Sequence, residues 1–188
     1  MIRAALLAIL MPAAAFAADW TEGSNAKTMG LLGEEQATFA AKVVDPLCEL
    51  TGDCPDNCGD GRRQLALVRA DDNVMILPMK NRQNFAGAAN DLMRFCGQDV
   101  EVDGLLVGDP EMTPSKHYMV QFIRAAGAEK WKKASQFTKD WNKAHPEEKK
   151  IKGPWFRKDP RIKAKIAETG YLGLGLEIDK AFIEYYLE

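Results

Sequence analysis

The sequence has little of what usually identifies an enzyme. Its 188 residues include only two histidines, and each stands alone: His117 at the start of a predicted strand and His145 before a proline. The chain has no serine-elbow motif, no His–Glu metal motif and no phosphate-cradling glycine loop. These absences leave hydrolase and nucleotide-enzyme functions without support. They favour a non-enzymatic protein, and no catalytic residue is assigned.

Long hydrophobic runs are also missing, since none approaches the roughly 18–20 residues that a helix needs to cross a bilayer. At the amino terminus, Arg3 precedes the short apolar run Ala4–Leu10, and Ala15-Phe16-Ala17 has the small residues of a cleavage site. Residues 1–17 are therefore predicted to be a signal peptide. A twin-arginine pair is lacking, which indicates export as an unfolded chain. We expect an exported, periplasmic protein that does not span a membrane.

Neither sign of charge dominates the chain as a whole, whose formal net charge is −2. The distribution is uneven, because residues 18–128 carry 10 basic and 17 acidic side chains whereas residues 129–188 carry 14 basic and 10 acidic ones. The change of sign near Gly127 predicts a boundary between two units. A chain with only a modestly basic half is a poor candidate for nucleic-acid binding, and we expect no nucleic-acid partner.

Hydrophobic periodicity predicts a mixed α+β chain. In residues 18–61, an N-terminal arm leads to a helix predicted at Glu34–Val44, and glycines and prolines then interrupt regular structure in a cysteine loop. Alternating apolar residues predict strands at 64–69, 74–80, 99–107 and 117–124. Helical spacing predicts helices at 84–95, 128–145, 160–169 and 179–187.

The order of elements in residues 62–124 carries a resemblance. Two strands, a short helix that ends at Gly97, a Val-x-Val strand within Gly97–Gly104 and a last strand follow one another. This pattern resembles the small oligonucleotide/oligosaccharide-binding (OB) barrels. The resemblance implies an OB-like antiparallel β-barrel at 62–127 with a helical C-terminal extension at 128–188, and a fifth strand that is missing or lies within 43–60. The side chains expected to point inward are Leu65, Leu67, Val74, Ile76, Val100, Val102, Val120 and Phe122.

The four cysteines are Cys48, Cys54, Cys58 and Cys96. In an exported protein an even number of cysteines predicts disulfides. Four cysteines allow three connectivities, and in each of them Cys96 pairs with one of the other three. Full oxidation therefore predicts a clamp between the cysteine loop and the end of the helix predicted at 84–95.

Metal ligation by the same four cysteines is the alternative. Their spacing is similar to that of adrenodoxin-like [2Fe–2S] ferredoxins, with one extra residue between the second and third ligands. A zinc or copper(I) site would also suit thiolate ligands, and Cys54-x3-Cys58 resembles the copper ligands of Sco-type assembly proteins. Thiol–disulfide exchange is disfavoured, because the negative charges of Asp53, Asp56 and Asp60 oppose thiolate formation.

A basic and aromatic segment lies between Pro146 and Pro160. Its candidate docking residues are Lys149, Lys150, Lys152, Trp155, Phe156, Arg157 and Lys158. Aromatic anchors within a field of positive charge are typical of a surface that binds an acidic partner. In the alternative arrangement, the two aromatic rings pack beneath the segment and its lysines are only solvated.

Two functional hypotheses follow from these patterns. The leading one is a non-enzymatic binding module, stapled by disulfides and without a cofactor, for an acidic periplasmic protein or a small ligand. The other is a metal-binding or electron-transfer protein that holds copper, zinc or a [2Fe–2S] cluster with its cysteines.

Overall fold

A computed structural model describes residues 19–80, 86–108, 117–170 and 176–187. The predicted signal peptide lies outside these residues. Within them, the α+β class is confirmed, since one seven-stranded sheet is combined with six α-helices.

The strands are β1 Glu35–Val44, β2 Ala66–Arg69, β3 Met75–Ile76, β4 Pro78–Met79, β5 Asp99–Val107, β6 His117–Ala125 and β7 Lys132–Lys133. The helices are α1 Pro46–Thr51, α2 Ala86–Leu92, α3 Gln136–Ala144, α4 Trp155–Lys158, α5 Pro160–Thr169 and α6 Leu176–Leu187. Short 3₁₀ turns are formed by Asp56–Gly59, Met93–Phe95 and Glu148–Lys150.

The sheet has the strand order β3-β2-β1-β5-β6-β4, and β7 adds to β6 at the side. Strand β1 pairs antiparallel with β2 on one edge and with β5 on the other. The pairings are antiparallel except that of β4 with β6, which is parallel. The outermost strands of this order, β3 and β4, do not pair with each other. Only Leu77 separates them along the chain, so one short stretch contacts β2 on one side and β6 on the other.

The helix predicted at Glu34–Val44 is wrong, because this segment is the strand β1. From Ala37 to Val43 its buried side chains occupy alternate positions, Ala37, Phe39, Ala41 and Val43. Lys42 between them is exposed. Hydrogen bonding on both edges outweighs the helix propensity of the Glu, Gln, Ala and Lys residues in this segment. Strand β1 ends at Val44, and residues 45–60 form no strand, so the cysteine loop does not supply a fifth strand.

The main hydrophobic core lies on the face of the sheet to which these β1 side chains point, and a smaller buried cluster is separate from it. Five of the eight side chains expected to point inward are buried in the main core, namely Leu65, Leu67, Ile76, Val100 and Val102. Helix α2 and the 3₁₀ turn after it cover this core with Ala89, Leu92 and Phe95, in agreement with the helix predicted at 84–95. The prediction that Val74 points inward is wrong, because this residue lies in the turn before β3 and its side chain is 41% exposed.

A β-bulge in β6 explains another position where the expected alternation is wrong. The register between β5 and β6 shifts at Gly104, so that Gln121 is an extra residue in β6. Side chains beyond the bulge change faces, and Ile123 is buried in the core whereas Phe122 is not part of it. The close approach of the two strands requires glycine, since a Cβ at Gly104 would lie 2.2 Å from the carbonyl oxygen of Met119.

The helix predicted at 128–145 is wrong in its first half. Lys132–Lys133 form β7 on the edge of β6, and the backbone N–H of Ala134 donates to the Gln121 carbonyl. Helix α3 begins only at Gln136. Pairing with an available strand edge thus outweighs helical spacing in this segment.

Two later predictions agree with the structure. Helices α5 and α6 confirm the helices predicted at 160–169 and 179–187, although α6 begins earlier, at Leu176. In the part of the chain that the structure describes, no helix is both long and apolar enough to cross a membrane.

A buried hydrogen bond from Tyr118 links β6 to β1, and its removal tests how much this contact stabilises the fold. Its buried hydroxyl donates a hydrogen bond of 2.7 Å to the carbonyl oxygen of Ala37, and burial, with Asp103 nearby, raises the pKa of the phenol. We predict that Tyr118→Phe lowers the free energy of unfolding by about 1–2 kcal/mol, because a buried hydrogen bond is lost. Urea unfolding measures the change. A free energy of unfolding equal to that of the wild type would contradict the prediction.

Candidate functional site

All four cysteines are in disulfides, Cys48 with Cys54 and Cys58 with Cys96. The clamp expected from the cysteine count is thereby confirmed, and its partner in the loop is Cys58. The first bridge spans a sequence separation of six residues and the second one of 38. The second bridge therefore joins the cysteine loop to the end of the α2 region, while the first acts locally around α1.

Local sequence explains how the cysteine loop begins. Asp45 caps α1 by accepting hydrogen bonds from the backbone N–H groups of Leu47 and Cys48. Pro46 occupies the first turn, where its missing N–H costs nothing. Gly52 ends the helix in the left-handed conformation, with φ 75°. The first disulfide then links the helix to the residues that follow it.

The loop continues through a left-handed turn in which five successive residues, 57–61, have positive φ. Asn, Asp and Gly tolerate this conformation, but for Cys58 it costs on the order of 1–2 kcal/mol. The bond to Cys96 holds Cys58 in place from the side of the core. From outside, the guanidinium of Arg63 donates to the Asp53 carbonyl at 2.9 Å. The second disulfide and Arg63 therefore hold the loop from opposite sides.

The oxidation state of the cysteines bears on the metal hypothesis. A sulfur in a disulfide carries no thiolate, so ligation by these cysteines would require reduction of both bridges. Among the described residues, no three His, Cys, Asp or Glu side chains are grouped as a metal site. His145 stacks on Trp141, with ring centroids 4.4 Å apart.

The two bridges are expected to differ in their contribution to stability. In the chain-entropy account, a loop of 38 residues is worth about 4 kcal/mol and a loop of six about 2 kcal/mol. We predict that Cys58→Ala/Cys96→Ala loses more unfolding free energy than its matched control, Cys48→Ala/Cys54→Ala. Chemical unfolding followed by tryptophan fluorescence measures both. A larger loss in the control would show that the long clamp is not the main staple.

A buried ion pair anchors the C-terminal extension to the sheet. Asp91 on α2 pairs with Lys80 and accepts a hydrogen bond of 2.9 Å from the backbone N–H of Phe137. Lys80 also donates to the carbonyl oxygen of Ala134 at 2.9 Å. Both charged groups are largely removed from solvent, and each has the additional hydrogen-bond partner that a buried pair requires. The start of α3 is thus fixed against α2.

Between these elements lies a groove of about 480 Å³. Its walls come from the cysteine loop, α2 and the C-terminal helices, and include Asp60, Gly61, Asn90, Met93, Phe137 and Trp155. Apolar walls with a few polar side chains suit an apolar group that makes a small number of hydrogen bonds. Sequence reasoning missed the groove, because its residues come from three distant parts of the chain and no motif marks them.

The basic and aromatic segment is folded and is not a plain loop. It contains the 3₁₀ turn Glu148–Lys150, and Pro154 precedes α4. Trp155 points toward α3, with its ring centroid 5.1 Å from that of Phe137 and 6.2 Å from that of Trp141. This docking candidate is therefore a packing anchor and a wall of the groove at the same time.

Lys158 is not a surface cation, which corrects its place among the docking candidates. It is buried, donates to the carbonyl oxygen of Ile151 at 3.1 Å and lies 5.5 Å from the ring centroid of Trp141. The next residue, Asp159, is fully buried and accepts hydrogen bonds from Trp141 Nε1 at 3.1 Å and from the Arg161 side chain at 2.6 Å. Lys158 and Asp159 together fix the end of the segment.

The other side chains of the segment remain at the surface. We define the basic face as the exposed side chains Lys149, Lys150, Ile151, Lys152, Phe156 and Arg157. Ile151 is 48% exposed and Phe156 is 39% exposed, so two apolar groups lie among four cations. Lys150 pairs with Glu147 at 2.7 Å, an interaction between exposed groups that contributes little.

Compared with known proteins, this chain matches no family model, no curated protein and no solved structure. No residue role is therefore transferred from a relative. The function is inferred from the geometry of the groove and of the basic face.

Asp159 gives a pH-dependent test of how the segment is anchored. Hydrogen bonds from Arg161 and Trp141 hold the pKa of Asp159 well below its ordinary value, although burial opposes them. Because the folded-state pKa lies below the unfolded value of about 3.9, the stabilisation is complete above that pH and is lost as the pH falls toward the folded-state pKa. We predict that Asp159→Asn removes this acid-sensitive part of the unfolding free energy.

Unfolding free energies measured between about pH 5 and pH 2 check this prediction, since a pKa difference between states sets the pH slope. The wild type should lose stability more steeply over that range than Asp159→Asn. Asp140→Asn, at an exposed position of α3, is the control and should keep the wild-type slope. Identical slopes in all three proteins would contradict the assigned role of Asp159.

Proposed function

We propose that the chain is a non-enzymatic exported module that binds an acidic protein partner on its basic face. The observation that carries the proposal is the exposure of Phe156 and Ile151 among four cations, on a segment whose end is fixed by Lys158 and Asp159. A preordered segment loses little conformational freedom on binding. Positive charge at the rim accelerates the encounter with an acidic partner, and buried apolar side chains hold the complex.

The scaffold, in this proposal, is an OB-like barrel. Its support is the stretch from β3 to β4, which is interrupted only at Leu77 and pairs with β2 on one side and in parallel with β6 on the other. Strands β3 and β4 do not pair with each other, so the hydrogen-bonded sheet is open, and the proposal relies on the chain across Leu77 to relate its two ends. Helix α2 follows this stretch and precedes β5, as in the pattern that carried the resemblance.

The periplasmic location belongs to the same proposal. Two disulfides are typical of a protein that works in an oxidising compartment. The predicted signal peptide at residues 1–17 points to the same address. The partner is accordingly expected among exported proteins.

The groove offers a place for an apolar side chain of the partner. Trp155 lines the groove, and its ring centroid lies 6.0 Å from that of exposed Phe156, with the two rings at 88°. A protein docked on the basic face can therefore insert an apolar side chain beside Met93 and Phe137. A pocket filled by one apolar anchor, next to a charged rim, is a common arrangement in protein interfaces.

Charge reversal tests the proposal. We predict that Lys149→Glu/Lys152→Glu/Arg157→Glu leaves folding unchanged, because all three side chains are exposed, but weakens binding of acidic periplasmic proteins. The control variant carries the same charge change at other exposed positions, Lys27, Lys132 and Lys139. The measurement is the retention of periplasmic proteins on immobilised protein at about 0.1 M and about 1 M salt, over which the Debye length falls from about 10 Å to about 3 Å.

Proteins retained by the wild type and by the control, lost with the reversed variant and released at high salt, support the proposal. If all three baits retain the same proteins equally at low salt, the basic face is not a docking surface and the proposal is wrong.

A further inference from the structure

The terminal helix α6 presents an apolar stripe to solvent. Ile178, Phe182 and Tyr185 are 57%, 57% and 79% exposed, and their spacing of four and three residues places them on one side of a helix. From residue 177 to residue 185, every side chain except Asp179 is exposed. A helix of this length is only marginally stable alone in water. Such a stripe marks a surface that another protein covers.

The charges beside this stripe are mostly negative. Glu177 and Glu184 are exposed on α6, and Lys180 is the one cation between residues 177 and 185. The basic face has the opposite arrangement, with Ile151 and Phe156 among four cations. The two surfaces therefore complement each other in charge, and each has an apolar centre.

We propose that the acidic partner is a second copy of this chain, whose α6 packs against the basic face. This inference rests on the proposed function, since it names the partner of the same surface. Within one copy, α6 and the basic face are both exposed, so α6 does not cover the basic face of its own chain. Each copy offers both surfaces, and a two-fold dimer forms the contact twice.

The reciprocal arrangement also supplies interface area. The 12 residues of α6 form a helix about 18 Å long. One such helix docked once falls short of the roughly 1,200–2,000 Å² that specific interfaces bury. Two symmetry-related contacts double the buried area, and side chains of α6 also become available to fill the partner's groove beside Phe156.

The charge of α6 argues against a membrane surface as its occupant. Helices that lie on membranes usually carry Lys and Arg beside their apolar side, because the lipid surface is negative. Glu177 and Glu184 would be repelled there. A protein surface with positive charge and an apolar centre, such as the basic face, can cover the apolar stripe and attract the carboxylates beside it.

Sedimentation of the full chain tests the dimer. The wild type is expected to dimerise at about 0.1 M salt, with a dissociation constant that rises as salt approaches about 1 M and screening increases. Phe182→Ser should raise the dissociation constant about tenfold or more, as the loss of an aromatic anchor does. The control variant Lys27→Glu/Lys132→Glu/Lys139→Glu should leave it unchanged.

Charge reversal on both surfaces provides a rescue. Glu177→Lys/Glu184→Lys and Lys149→Glu/Lys152→Glu/Arg157→Glu are each expected to disrupt the dimer. A chain that carries both sets restores attraction at both contacts and should dimerise again, and so should an equimolar mixture of the two variants. Circular dichroism checks the helix content of each variant. If Glu177→Lys/Glu184→Lys has less helix than the wild type, the single variant Glu184→Lys is used in its place.

A wild type that is monomeric at every concentration, or the absence of rescue in both the combined chain and the mixture, overturns the inference. If such a monomer still retains acidic periplasmic proteins through its basic face, the proposed function stands and the partner is a different protein. If it retains none, both proposals fail. Dimerisation with rescue supports the second copy as the partner.

Discussion

The pairing of β1 with strands on both of its edges is the interaction on which the rest of the structure depends. At its end, the carbonyl of Val43 accepts a hydrogen bond of 2.9 Å from Gly97, and its N–H donates one of 3.0 Å to Gln98. Cys96 immediately precedes Gly97, so the ladder places its sulfur beside the loop that leaves β1. The bridge to Cys58 follows from that placement. In turn it holds the left-handed turn that forms one wall of the groove.

The C-terminal extension depends on buried charges that have partners. Asp91 with Lys80 fixes its beginning, and Asp159 with Trp141 fixes the segment that follows α3. In the described parts of the chain, no buried side-chain nitrogen or oxygen lacks a hydrogen-bond partner, which is what a stable polar network needs. Packing thereby divides the lysines into two groups. Lys80 and Lys158 are buried and hydrogen-bonded within the fold, whereas the cations of the basic face are exposed.

The strands β5 and β6 and the helix α5 could be predicted from the sequence, because a single periodicity fits most of each. Strand β1 could not, since its apolar residues fit both periods and only its neighbours on both edges decide between them. The bulge at Gln121 depends on the close approach of two backbones, and the burial of Lys158 depends on carbonyls that the folded segment positions. The number of cysteines predicted that Cys96 forms a disulfide with one of the other three. The choice of Cys58 as its partner depends on the fold.

A chain that carries a basic face and an acidic helix can bring them together within one copy or between two. A flexible tether would favour contact within one copy, because the effective concentration is high. Here α5 intervenes, about 15 Å of helix that begins directly after the basic segment. Asp159 fixes its start by accepting from the backbone N–H of Arg161 and from Trp141. The carboxylate that anchors the segment thus also fixes where α5 begins, and in the dimer that we propose the basic face of one copy meets α6 of the other.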